Sequence, residues 1–173
     1  MTTPMSNDSS HPPRRPLTTG ARWLGLVFWI AVCFVAAAVG SQFLPGQWYD
    51  DLKKPSWTPP NWVFGPVWTV LYLMMAIAAW LVWCVSGWKN ARGALIAFVI
   101  QLSLNAAWSW AFFGLHQPML AMINIVVLWF AIATTIALFA KHRPVAAALL
   151  VPYILWVTYA STLNAGIWYL NST

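Results

Sequence analysis

Uncharged, strongly apolar stretches alternate along the chain with short polar or proline-containing segments. Five such stretches cover approximately residues 23–44, 62–86, 91–115, 118–140 and 144–169. A helix needs about 20 apolar residues to cross the hydrocarbon core of a bilayer, and each stretch reaches this length. The pattern therefore predicts an all-α membrane protein, a bundle of five transmembrane helices spanning residues 21–173, preceded by a disordered tail over residues 1–20.

Proline and glycine mark where these helices begin and end. Pro45 and Gly46 follow the first stretch, Pro118 and Pro144 open the fourth and fifth, and Pro152 is expected to kink the fifth. The longest connection, residues 45–61, holds charges and prolines, so we expect an extramembrane loop with one helical turn near residues 48–53. The other connections are a few residues long, which predicts antiparallel hairpins.

Composition excludes an ordinary soluble domain, since 61% of the 173 residues are hydrophobic and only 7% are charged. The acidic residues are Asp8, Asp50 and Asp51, so a two-carboxylate catalytic site inside the bilayer is excluded unless one of these reaches it. The net charge of +6 comes from scattered cations that form no continuous stripe, and we expect no nucleic-acid partner.

The cations instead predict an orientation in the membrane. Two of them, Lys53 and Lys54, lie on one side of the predicted bundle. The other seven lie on the amino-terminal side: Arg14, Arg15, Arg22, Lys89, Arg92, Lys141 and Arg143. The positive-inside rule then places the N-terminus in the cytoplasm and the C-terminus on the far side. We expect a multi-pass protein of the bacterial inner membrane.

Polar residues in the third helix share one face. Gln101, Asn105 and Ser109 recur every four residues, and Trp108 is adjacent to them. In a lipid-embedded helix such a stripe must face protein or a cavity, so the residues either join helices by hydrogen bonds or contact a ligand. The sequence leaves both readings open, with Asn105 the preferred ligand contact.

Tryptophan is abundant, with 14 residues, and occurs at two depths. Near the predicted boundaries it is typical of the aromatic belt at membrane interfaces; these residues are Trp23, Trp48, Trp62, Trp88 and Trp168. The deeper ones are Trp68, Trp80, Trp108, Trp110, Trp129 and Trp156. Two further stripes combine such residues, namely Trp68, Tyr72 and Met75, and Trp156, Tyr159 or Ala160, and Asn164. Together the stripes suggest a shared pocket for a flat aromatic ligand, although packing or lipid contact explains any single position equally well.

Several chemistries lack their usual residues. The apolar stretches hold no ionisable group of the kind that ion-coupled carriers keep in the membrane, and no phosphate-binding loop is present. His11, His116 and His142 lie in the tail or in loops, while Cys33 and Cys84 lie singly inside apolar stretches. We therefore expect no metal site, no disulfide and no obligatory cofactor.

Three segments resemble the signature of the translocator protein family, which includes the bacterial tryptophan-rich sensory proteins and the mitochondrial peripheral benzodiazepine receptor. Residues 48–72 read WYDDLKKPSWTPPNWVFGPVWTVLY, residues 101–114 read QLSLNAAWSWAFFG, and residues 151–164 read VPYILWVTYASTLN. The resemblance covers about Phe28 to Tyr169. It implies a five-helix bundle, usually dimeric, that binds porphyrins such as protoporphyrin IX, and other flat aromatic molecules, in a cavity roofed by the first loop.

The expected ligand contacts combine the motif positions with the residue stripes: Trp57, Pro59, Pro60, Phe64, Trp68, Tyr72, Gln101, Asn105, Trp108, Trp156 and Ala160. The resemblance also implicates Trp68 and Trp156 in a light- and oxygen-dependent breakdown of protoporphyrin. Ser56 replaces a second tryptophan that some relatives carry, and the chain ends without the basic residue of the animal sterol motif, so no specific sterol binding is expected.

Three functions follow from this resemblance and the residues. The first is a porphyrin-binding protein that senses, sequesters or moves porphyrin intermediates and so regulates tetrapyrrole metabolism. The second is a photo-oxidative enzyme in which Trp68 and Trp156 are the catalytic residues. The third is a small-molecule transporter, which the absence of charged coupling residues disfavours but does not exclude, since facilitated passage needs none.

Overall fold

The computed structural model describes residues 18–172, and the described part is helical with no strand. Residues 1–17 of the expected tail lie outside the described residues. The elements, in chain order, are α1 (Thr19–Gly40), α2 (Gln47–Asp51), a 3₁₀ turn (Asn61–Val63), α3 (Phe64–Ser109), a π-helical turn (Trp110–Gly114), α4 (Pro118–His142), α5 (Pro144–Leu149) and α6 (Val151–Asn171).

Helix α3 reverses its direction at Gly87. This residue has φ 64° and ψ 174°, a backbone conformation that only glycine adopts readily, and it joins two helices without a loop. Two contacts show that the halves run antiparallel. The Tyr72 hydroxyl donates a hydrogen bond to Asn105 Oδ1 at 2.7 Å, and Gln101 Nε2 lies 3.9 Å from Met75 Sδ. The expected second and third helices are therefore the two halves of α3.

Four helical stretches of the described residues are long and apolar enough to cross a membrane. They are Thr19–Gly40, Asn61–Gly114, Pro118–His142 and Pro144–Asn171. The second contains 54 residues and would measure roughly 80 Å if it were straight, against about 30 Å of hydrocarbon in a bilayer. The reversal at Gly87 resolves this mismatch because it folds the stretch in half.

The first helix lies about four residues earlier than the hydrophobic pattern predicts. It begins at Thr19, because the Thr18 hydroxyl accepts a hydrogen bond from the Ala21 N–H at 3.3 Å. It ends at Gly40, and the side chains of Ser41 and Gln42 then donate to the Ala38 carbonyl at 2.9 and 3.2 Å. Residues 19 and 20 are thus helical, and residues 41–44 belong to the first loop.

The last predicted helix is divided at Leu150. Helix α5 ends at Leu149 and α6 begins at Val151, with Pro152 in its first turn. Proline has no N–H to donate to the carbonyl four residues earlier, so the helical ladder is interrupted close to this point. The proline kink expected there is thus a break between two helices.

The core follows the length of α3, which packs against α1, α4 and α5. Phe98 lies at the centre of this core, with Trp29 edge-on at 5.7 Å and Phe139 stacked at 5.8 Å between ring centroids. Contacts between large rings at these distances hold three helices in a fixed relative position.

The two ends of the bundle differ in charge. One end, the basic end, joins the start of α1, the Gly87 reversal and the end of α4; Trp80 Nε1 donates to the Arg22 carbonyl at 2.9 Å, and Ser86 Oγ lies 2.8 Å from His142 Nδ1. The opposite end, the loop end, holds α2 and the end of α6. The described carboxylates, Asp50 and Asp51, both lie in α2 at the loop end.

Candidate functional site

A cavity of about 350 Å³ lies inside the bundle at its loop end. This volume is within the range of small-molecule sites, roughly 300–1,000 Å³. The walls come from the end of α1, both halves of α3, α4, α6 and the first loop. Seven of the eleven residues expected to contact a ligand line the cavity: Phe64, Trp68, Tyr72, Asn105, Trp108, Trp156 and Ala160.

Aromatic rings form much of the wall. Trp68 lies 5.6 Å from Tyr72, and on the facing helix Trp156 meets Phe64 edge-on at 5.9 Å. Both tryptophans belong to the stripes of aromatic and polar residues that suggested a shared pocket. Rings held against one another lose little conformational freedom when a ligand arrives, so they offer preformed stacking surfaces.

A short polar chain crosses the cavity wall at Asn105. Its Oδ1 accepts from the Tyr72 hydroxyl at 2.7 Å, and its Nδ2 donates to the Tyr153 hydroxyl at 3.1 Å. Asn105 therefore joins the halves of α3 to α6 by hydrogen bonds. It also lines the cavity, and its contact with a ligand stays a prediction. One amide N–H remains for a ligand, since the carboxamide carries two.

Two indole N–H groups in the wall differ in whether they have a hydrogen-bond partner. Trp108 Nε1 donates to Asn164 Oδ1 at 3.1 Å, and Asn164 Nδ2 donates in turn to the Pro118 carbonyl at 2.8 Å. Trp156 Nε1 is buried and has no hydrogen-bond partner among the described residues. An unmade buried hydrogen bond costs about 1–3 kcal/mol, so a ligand that offers an acceptor to this donor would gain binding free energy.

Residues 41–60, which we call the lid, cover the cavity at the loop end. Tyr49 of α2 points into it and lies 5.5 Å from the Phe113 ring. Burial raises the pKa of the Tyr49 phenol above its usual value, and the charge of Asp50 raises it further. The phenol therefore stays protonated at neutral pH and can donate a hydrogen bond. Trp48 stacks on His116 at 4.3 Å and anchors α2 to the turn before α4.

Helix α6 holds the outer part of the lid. The Lys53 N–H donates to Asn171 Oδ1 at 3.1 Å, and Asn171 Nδ2 donates to the Lys53 carbonyl at 2.9 Å. Further back along α6, the Tyr159 hydroxyl donates to the Trp57 carbonyl at 2.7 Å. Gly166 lets the lid approach closely, because a Cβ there would lie 2.5 Å from Pro55 Cγ. The lid is thus held to α6 at three positions along the length of that helix.

Four of the expected ligand contacts lie away from the cavity wall. Trp57, Pro59 and Pro60 belong to the lid, where the Trp57 side chain is 54% exposed. Gln101 is fully buried, with Nε2 near Met75 and Oε1 without a partner among the described residues. The spacing of four residues placed Gln101 on the correct face of α3, but one turn further from the loop end than the cavity extends.

The cavity also includes residues that the sequence did not single out. Phe112 and Phe113 come from the π-helical turn, whose wider winding begins at Trp110. Ile125 and Leu128 come from α4. The aromatic pair next to a predicted tryptophan was a usable signal, but two aliphatic residues in an aliphatic helix carry none. Asn164 was part of a predicted stripe and does line the cavity.

Comparison with known proteins gives a consistent result. The sequence pattern of the TspO/MBR family matches residues 29–170. The chain is 43% identical over 153 residues to the tryptophan-rich protein TspO of Chlorobaculum tepidum, with 86% of this chain and 96% of that one covered. It is 42% identical over 149 residues to protein CrtK of Rhodobacter capsulatus (84% and 91% covered) and 40% identical over 141 residues to the human translocator protein (79% and 81% covered). The match spans every residue that lines the cavity.

Proposed function

Because the chain belongs to the TspO/MBR family and is an integral multi-pass membrane protein, we propose that it binds a porphyrin in the lidded cavity and thereby senses, sequesters or moves porphyrin intermediates. The names of its relatives, a sensory protein in Cereibacter sphaeroides and a translocator in mammals, agree with such a role. Protoporphyrin IX is the ligand we would test first.

The cavity wall carries this proposal. A flat conjugated macrocycle would stack on the Trp68 and Trp156 rings, which line the cavity from two different helices. The unpartnered Trp156 N–H lies in the plane of the indole, so it would donate to an acceptor on a substituent at the edge of the macrocycle, such as a propionate oxygen. At the lid, Lys53 has an exposed side chain that can reach a propionate, whereas Lys54 donates to the Asp50 carbonyl at 3.0 Å.

A titration in the dark tests the proposal. Protoporphyrin IX is added to the detergent-purified protein, and the porphyrin's own absorption band is followed so that removal of tryptophan does not disturb the signal. We expect saturable binding that is weakened in Trp68→Phe/Trp156→Phe and unchanged in the control Trp23→Phe/Trp62→Phe, whose rings are exposed and outside the cavity. Equal affinity of both double variants would refute this placement of the ligand.

A second function, oxidative breakdown of the porphyrin, is favoured by one observation. Two oxidisable indoles, Trp68 and Trp156, lie in the wall of the cavity that would hold a photosensitising ligand. In this reaction molecular oxygen is the oxidant, light excites the porphyrin, and the porphyrin is oxidised. Illumination in air, at protein concentrations that bind all the porphyrin in both proteins, separates the functions: binding alone leaves porphyrin loss the same in the wild type and in the Trp double variant, whereas catalysis makes it depend on the two indoles.

We propose further that the chain crosses the bacterial inner membrane five times with the basic end in the cytoplasm. The reversal at Gly87 makes two crossings from one stretch, and the positive-inside rule orients the bundle. Introduced cysteines test this orientation. A membrane-impermeant maleimide added outside spheroplasts should label Lys53→Cys and not Lys89→Cys, and the reverse pattern would overturn the assignment.

A further inference from the structure

A second concavity lies at the basic end, on the outside of the bundle. It is an open groove of about 410 Å³ between the first turns of α1 and the Gly87 reversal. Its lining consists of apolar and aromatic side chains and one glycine: Ala21, Leu24, Gly25, Phe28, Trp29, Trp83 and Trp88. Leu24 is 74% exposed, so the rim of the groove faces the surroundings of the bundle.

The groove is built by a close approach of two helices. A Cβ at position 25 would lie 2.2 Å from a ring carbon of Trp83, so only glycine lets this indole rest against the α1 backbone. The hydrogen bond from Trp80 Nε1 to the Arg22 carbonyl fixes the start of α1 on α3 nearby. The floor of the groove is therefore part of the folded core, while its outer side stays open.

Three cations lie close in sequence to the residues that line the groove. Arg22 follows the lining residue Ala21, Lys89 follows Trp88, and Arg92 lies one helical turn beyond Trp88 on the same face. All three side chains are exposed. The carboxylates of the described residues lie at the opposite end of the bundle, in α2, so none is available there to neutralise these charges.

We propose that the groove binds an anionic phospholipid of the adjoining leaflet. One acyl chain would lie against Trp83, Phe28 and Leu24, and the headgroup phosphate would meet Arg22 and Lys89 at the rim. An apolar floor with a cationic edge at membrane-interface depth matches the two parts of such a lipid. The site is separate from the lidded cavity, which lies at the other end, and it would tie the protein to the lipid composition of one leaflet.

Quenching by brominated lipids tests the proposal on the full chain in nanodiscs. A minor fraction of brominated phosphatidylglycerol, in a bilayer of unbrominated phosphatidylcholine, should quench tryptophan fluorescence more than the same fraction of brominated phosphatidylcholine. This excess should be lost in Trp83→Phe/Trp88→Phe, because those rings line the groove.

Charge variants separate a built site from general attraction to a cationic surface. The excess quenching should also be lost in Arg22→Gln/Lys89→Gln and should persist in the control Lys141→Gln, which removes a cation at the same end from a helix that does not line the groove. Equal quenching by the two lipids, or an excess that survives the double charge variant, overturns the proposal. If neither lipid quenches Trp83 and Trp88, protein covers the groove, either a second copy or residues 1–17, and the proposal also fails.

Discussion

Release of the lid by Asn171→Ala is the most direct test of how a ligand reaches the cavity. The substitution removes two hydrogen bonds between α6 and the Lys53 backbone, at 3.1 and 2.9 Å. Each contributes about 0.5–1.5 kcal/mol net, and because both are solvent-exposed we take the lower part of that range, about 1–2 kcal/mol for the pair. The open-to-closed ratio of the lid should then rise about 5–30-fold.

The two Asn171 hydrogen bonds hold the lid closed in the absence of a ligand, so their loss should change the rates of ligand binding and release. Their loss favours opening of both the free and the bound protein, so association and dissociation should accelerate together while the Kd changes little. Stopped-flow measurement of protoporphyrin IX binding, and of its displacement by excess competitor, gives both rates. We expect each rate to rise by about the factor above.

The adjacent residue supplies a matched control. The Ser172 hydroxyl donates only to the Trp168 carbonyl of its own helix, so Ser172→Ala leaves the lid contacts intact and should leave both rates unchanged. Unaltered rates in Asn171→Ala would refute lid opening as the limiting step and would point to access between helices. A rise in Kd with an unchanged dissociation rate would contradict the reasoning as well.

Three further substitutions have distinct expected outcomes. Trp156→Phe removes a buried N–H that has no partner, a gain in stability that offsets the loss of ring contacts with Phe64 and Tyr159, so the unfolding midpoint of the free protein should change little. Porphyrin binding should weaken about 2–12-fold, as isothermal titration can show. Asn105→Leu strands the two hydroxyl groups bonded to it and should lower the free energy of unfolding by about 1–3 kcal/mol in a denaturant titration. Gly25→Ala should destabilise the protein by about 1–3 kcal/mol through collision with Trp83, whereas Gly20→Ala, with open space around it, should not; equal midpoints for both would contradict this contact.

The apolar pattern was sufficient to predict an all-helical protein with long apolar spans, since a helix satisfies its backbone groups within its own segment in lipid. It was less informative about their ends. The charge-free residues up to Leu44 predict that α1 ends there, yet the helix ends at Gly40, because the side chains of Ser41 and Gln42 then bond back to the Ala38 carbonyl. Such local competition for hydrogen bonds leaves no trace in hydropathy.

The candidate site was predictable where residue type and spacing coincide. Trp68 and Trp156 differ from their aliphatic neighbours, and both line the cavity. Ile125 and Leu128 line it too, but nothing in an apolar helix distinguishes an aliphatic residue facing a cavity from one facing lipid. The sequence also could not predict that the cavity ends before Gln101, because residue spacing gives the face of a helix and not how far along that face a cavity extends.

Because the reversal occurs at a single residue, Gly87, the number of residues on each side of it determines which side chains of the two halves of α3 face each other. Asn105 reaches Tyr72 only because a set number of residues separates each from the pivot. One residue inserted between positions 88 and 104 would rotate Asn105 by about 100° and shift it by about 1.5 Å along the axis. The lid can absorb a change of length within its irregular segments, whereas a hairpin without a loop converts the same change into a different residue facing the cavity.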